Sequence, residues 1–159
     1  YTLILRPITT SMNCLLKPTS VGRKARFTMK ITGGCFCSEI RYEAEIDDDM
    51  VIICHCTDCQ INSGTAYGVV VGVINNQFNL VKGKLSFFNK IADSGAKRDL
   101  AFCSNCGTRI FARRADDSKG PFGIRLGTVD QRANLIPQKQ AFTNSALSWV
   151  SDISSIPKN

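Results

Sequence analysis

Seven of the chain's eight cysteines fall in three short clusters: Cys35-Phe36-Cys37, Cys54-His55-Cys56-Thr57-Asp58-Cys59 and Cys103-Ser104-Asn105-Cys106. Cys14 stands alone near the start. This pattern constrains the fold more than any other feature. A disulfide framework calls for an even count and a secretory context, and neighbouring C-x-C sulfurs are poor bridge partners for each other. Thiolates spaced by one or two residues instead suit a tetrahedral metal ion such as zinc, with Zn–S bonds of about 2.3 Å. The clusters offer two, three and two sulfurs. Two pairs complete a four-sulfur site, and three leave a site with an open position. Spacing alone does not say which pairs combine. The continuous trio can wrap one ion by itself, which leaves the outer pairs to join across the chain. The alternative is one four-sulfur site with three free thiols.

A length of 159 residues suits a single domain able to bury a core. No apolar run reaches the length of a membrane span. The net charge of +7 points to nucleic acid at first sight, but residues 1–28 hold Arg6, Lys17, Arg23, Lys24 and Arg26 and no acid. Without those five, fifteen basic residues face thirteen acidic ones, which argues against a strong electrostatic nucleic-acid interface. Residues 1–28 are read as a basic tail, upstream sequence with Met29 as the start. An organelle-import segment is the alternative. The domain is expected over 29–159, in the cytoplasm and without a membrane partner.

Ile40, Tyr42, Ala44 and Ile46 alternate with Glu39, Arg41, Glu43 and Glu45, the period of a half-buried strand. Asp47-Asp48-Asp49 reads as a turn, and Asp58–Gly64 as the one short helical stretch. Strands are expected over Tyr67–Val73, over Phe78–Val81 and Leu85–Lys90 about a Lys82-Gly83-Lys84 turn, and over Arg109–Arg113 and Ile124–Leu126, with Asp99–Cys103 entering the last cysteine knuckle. Phe87-Phe88 reads as strand core and Trp149 as packed on the body. Lys97-Arg98 and Arg113-Arg114 read as solvated charge. The result is a β-rich fold with little helix and cysteine knuckles at strand ends.

The ordered motifs resemble the glutathione-dependent formaldehyde-activating enzyme family, which includes the centromere protein V domain. The matching segments begin with Gly33-Gly34-Cys35-Phe36-Cys37, Ile40-Arg41-Tyr42 and the Cys54–Cys59 trio with Ser63-Gly64. Gly83, Phe102-Cys103-Ser104-Asn105-Cys106-Gly107, Gly127-Thr128-Val129-Asp130 and Trp149 follow. The resemblance implies several small coiled antiparallel sheets, an exchange-factor-like zinc fold. It implies a structural zinc on Cys35, Cys37, Cys103 and Cys106, and a second, exchangeable zinc on Cys54, Cys56 and Cys59, the residues expected to carry catalysis. It also implies carbon–sulfur lyase chemistry on a small thiol adduct such as S-hydroxymethylglutathione. Two departures stand out. Ser38 replaces a usual Gly, and Gln60-Ile61 replaces basic residues, leaving that stretch without positive charge.

A zinc ion with three protein ligands keeps a place for water or substrate. His55, the only histidine, lies between two ligands and in an extended segment faces away from them, which favours a packing role. Asp58, Thr128 and Asp130 read first as turn residues. The competing functions are a zinc-stabilised module binding protein or nucleic acid, and a redox switch through the trio.

Overall fold

The computed structural model describes residues 28–92, 94–117 and 119–158. The basic tail, apart from Thr28, and Cys14 lie outside the described residues. Among the described residues eight strands and one α-helix form: β1 (Thr28–Gly34), β2 (Arg41–Cys54), α1 (Thr57–Ser63), β3 (Gly68–Lys82), β4 (Ser86–Ile91), β5 (Lys97–Phe102), β6 (Arg109–Arg114), β7 (Phe122–Arg125) and β8 (Lys139–Ala141). Short 3-10 segments fill the region after β7. The mainly β architecture is as expected, and hydrogen bonds link its strands in one path, β1-β2-β3-β7-β6-β5-β4. All pairings along it are antiparallel, while β8 adds parallel to β2. No helix among the described residues is long and apolar enough to cross a membrane.

The alternation around Tyr42 does what a period of two requires. Ile40, Tyr42, Ala44 and Ile46 are all buried. They meet Ile31, Val71, Val73, Ile110 and Ile124 in one apolar core. The half-buried Phe78 packs against it, 5.1 Å from the Tyr42 ring and 5.2 and 5.8 Å from Phe111 and Phe122, the last two edge-on. Such edge contacts suit the quadrupoles of the rings.

Four expectations need correction. The acidic triplet is no turn: β2 runs through it, and Asp47 still pairs with Thr28. The extra residues are absorbed as register shifts, Ile46 facing Val73 and Val51 facing Val71. Phe87 and Phe88 are not core. They lie on β4 at the sheet edge, both exposed, because β4 has only β5 as a neighbour. Trp149 remains 48% exposed. The turn after β3 also does not fold back into a hairpin. Gly83 (φ 85°), where an added Cβ would meet Glu39 O at 2.3 Å, releases the chain to the opposite edge of the sheet.

Lys97-Arg98 and Arg113-Arg114 lie on β5 and β6, where Arg113 pairs with Asp99 at 3.3 Å and Arg114 with Asp116 at 2.9 Å. Ser38 holds a left-handed φ of 63° in the tight return from Cys37 to β2, which accounts for the glycine usual there. A Cβ in that region costs about 1–2 kcal/mol. Ser38→Gly is therefore expected to stabilise the protein by about 1 kcal/mol, read as a higher midpoint in thermal denaturation.

Candidate functional site

The outer pairs come from two turns. Cys35 and Cys37 sit between β1 and β2, where Cys35 N–H donates to Ile40 O at 3.1 Å and Ile40 N–H donates back to Cys35 Sγ at 3.2 Å. Cys103 and Cys106 sit between β5 and β6, in a turn closed by Gly107 N–H to Cys103 O at 2.9 Å. The four sulfurs lie within 4.8 Å of one another. Cys35 and Cys37 Sγ are 3.5 Å apart, and Cys37 and Cys103 Sγ 3.8 Å. Bonds of about 2.3 Å to one tetrahedral ion give an edge of about 3.8 Å, so these four fit a single metal.

Thr108 ties the two turns together, a role no spacing announced. Its Oγ1 accepts from Phe36 N–H at 3.1 Å and lies 3.1 Å from Cys106 Sγ. Hydrogen bonds from the Thr108 hydroxyl and backbone pull the Cys106 thiol down to about 5, which favours the thiolate a metal needs.

The trio forms a separate group, its three sulfurs also within 4.8 Å. Cys54 ends β2, and Cys56 caps α1, its sulfur accepting from Cys59 N–H at 3.4 Å. Cys54 and Cys56 Sγ are 3.4 Å apart. Burial, with hydrogen bonding among the sulfurs, pushes the Cys54 thiol up to about 12. Burial, the largest influence, would raise Cys59 as well, but the Arg125 guanidinium and hydrogen bonds with Cys54 and Cys56 together outweigh it and hold Cys59 below its usual value. A divalent cation among the three would deprotonate them outright. No fourth Cys, His, Asp or Glu among the described residues joins this group.

α1 has seven residues, too short to hold itself together. The strap after β7 braces it. Gln60 Nε2 donates to His55 O at 2.7 Å and to Ser145 O at 2.8 Å, and β8 lies along Ile52, Ile53 and Cys54. His55 is 1% exposed and points into this strap, its Nε2 2.8 Å from Gln140 Oε1 and its ring edge-on to Tyr67. It packs behind the trio. Asp58 pairs with Lys90.

A groove of about 860 Å³ is lined by Cys35 of the four-sulfur cluster and by Gly68 and Arg125, which neighbour Cys59, though by none of the trio's own cysteines. Phe36, Thr108 and Ser63 also border it. Arg41, Arg109, Arg125 and Arg132 line it, with Asp130 as its one carboxylate. Asp130 is bound to Arg41 at 2.5 Å and to Thr32 Oγ1 at 2.7 Å, contacts that hold it below the usual carboxylate range. Thr128 bonds Tyr42 Oη and Arg125 O, each at 2.8 Å, and fixes the same wall. Thr128 and Asp130 are thus groove residues as well as turn residues. The positive charge that α1 lacks comes from the strand ends at Arg41, Arg109 and Arg125 and from the 3-10 segment at Arg132, all remote in sequence. Arg125 Nη1 lies 3.7 Å from Cys59 Sγ. Gly68 makes that possible, since an added Cβ would sit 2.6 Å from the same nitrogen.

Comparison with known proteins now places the chain. Residues 30–145 match the family described as glutathione-dependent formaldehyde-activating enzyme. The chain belongs to that family. The formaldehyde-activating match takes in both cysteine groups, the strap and every arginine of the groove. In fold, the chain is similar to the crystal structure of a Rhodobacter sphaeroides protein, with TM-score 0.54 and 17% identity, over 71% of this chain and 100% of that one. That likeness supports the architecture alone.

Proposed function

We propose that the protein is a zinc-dependent carbon–sulfur lyase acting on a thiol adduct such as S-hydroxymethylglutathione. The observation that carries the reading is a group of three cysteine sulfurs, without a fourth protein ligand among the described residues, with Arg125 of an arginine-lined groove 3.7 Å from Cys59 Sγ. Membership of a family named for glutathione and formaldehyde agrees with it.

Cys54, Cys56 and Cys59 would hold the reactive zinc, and Cys35, Cys37, Cys103 and Cys106 the bracing one. All-sulfur donors suit zinc. A zinc ion with three thiolate ligands supplies Lewis acidity and one position for a soft sulfur or an oxygen. The chain's own residues do the rest. The groove aligns the thiol and the aldehyde, and Arg125, beside Cys59, favours the thiolate form of a sulfur brought there. Adduct formation joins that sulfur to the formaldehyde carbon. The C=O π pair moves to oxygen, which takes up the proton the thiol lost, and breakdown is the reverse. His55 is no proton carrier in this scheme, being enclosed by Gln140 and Tyr67. Asp130, held ionised by Arg41, is a fixed acceptor, and the proton exchanges with water in the groove.

The test follows S-hydroxymethylglutathione formation by exchange NMR with zinc-loaded full-length protein. Exchange well above the spontaneous rate is expected. An unchanged rate would return the chain to the binding-module reading.

A further inference from the structure

Arg109 is the groove cation left over. Arg41 is bound to Asp130, Arg125 donates to Cys59 Sγ, and Arg132 Nη1 donates to Val129 O at 3.3 Å. Among the described residues Arg109 has no ion pair, and its Nη1 is buried without an acceptor. The guanidinium is nonetheless held in place, its Cζ 5.2 Å from the centroid of the Phe102 ring. It opens β6 directly after Thr108, at the end of the groove bordered by the four-sulfur cluster. A preformed, partly desolvated guanidinium without an acceptor costs free energy until one arrives. The acceptor that matches its planar fork is a carboxylate.

We propose that Arg109 is a specificity-determining residue that takes a substrate carboxylate, so that the groove selects thiol adducts whose carboxylate lies apart from the sulfur. The proposal rests on the lyase reading for the location of the sulfur, beside Arg125 and the trio. The carboxylate then lies toward Phe36 and Thr108. Cysteamine-like thiols without a carboxylate fall outside the class, and peptide-like thiols fall within it.

The probe is S-methylglutathione, whose capped sulfur keeps the trio out of the measurement, together with its two mono-esters, each masking one carboxylate. Titration calorimetry on zinc-loaded full-length protein is expected to show one mono-ester binding about 10- to 100-fold more weakly than the free acid, the range of a charged hydrogen-bonded pair. Arg109→Gln should weaken the free acid by the same factor and leave that ester unchanged. Arg109→Lys should restore only part, since it keeps charge without the fork. Circular dichroism and metal content establish that both variants are folded. Equal binding of acid and both esters by the native protein overturns the proposal, as does an Arg109→Gln effect equal for acid and ester, or no binding of the probe. Carboxylate selection through Arg109 without accelerated adduct exchange would sink the lyase reading alone. Accelerated exchange with an unchanged KM in Arg109→Gln would sink the Arg109 assignment alone.

Discussion

Cys103→Ser is expected to lower the thermal midpoint by about 20 °C or more, or to leave the protein insoluble. The reason lies in where the four sulfurs stand. The β1–β2 turn and the β5–β6 turn belong to strands four places apart in the sheet order. At about 4.8 Å per strand, a flat sheet would separate them by roughly 19 Å. Cys37 and Cys103 Sγ are 3.8 Å apart, so the sheet must roll to bring them together. A metal at that seam would hold the roll, beside a core that contains the buried rings of Tyr42, Phe111 and Phe122 with the half-buried Phe78 packed on them. Structural zinc sites contribute apparent binding energies of about 10–16 kcal/mol, against a total stability of about 5–15 kcal/mol for a domain. Losing one ligand therefore consumes most of the margin. Circular dichroism melts and metal analysis, with a strong chelator as a second route to the same state, check this. A midpoint within a few degrees of the native protein would mean that the seam is held by packing alone.

The second large effect belongs to the trio, and it has the opposite signature. Cys59→Ser is expected to retain the fold, bind one metal equivalent fewer, and lose adduct turnover by on the order of 10²–10³-fold. Cys59 lies in a two-turn helix that Gln60 ties to His55 O and Ser145 O, so the helix keeps its anchors when the sulfur goes. Turnover and metal content measured on the same sample settle the matter. Turnover that survives loss of that equivalent would detach the chemistry from Cys54, Cys56 and Cys59.

The cysteine clusters were legible because ligand spacing is local. The alternation from Ile40 to Ile46 was legible for the same reason. What escaped was long-range. Strand order is decided by core packing, so nothing near Gly83 reveals that β4 crosses to the far edge. The acidic run at Asp47 looked like a turn because its composition is that of one, yet pairing with β1 keeps it extended. The groove escaped most completely. Its cations come from Arg41, Arg109, Arg125 and Arg132, on separate segments, and each alone is an unremarkable charge. The one local hint was the Gly127-Thr128 motif just after Arg125, read as a turn although Thr128 Oγ1 grips Arg125 O. Thr108 carried no signal beyond following Cys106 by two residues.

Thr108 has a consequence for how metal stoichiometry should be interpreted. It bonds the backbone of Phe36, 91% exposed at the rim of the groove, and the sulfur of Cys106, and it precedes Arg109. In the proposed reading, the four-sulfur cluster would therefore form part of one side of the substrate's berth. A preparation short of metal at that cluster would handle substrate poorly even with the trio fully loaded, and activity plotted against added metal would rise with a lag. Such a curve is easily mistaken for cooperativity between catalytic sites, when its origin is a floor that must be laid before the room can be used.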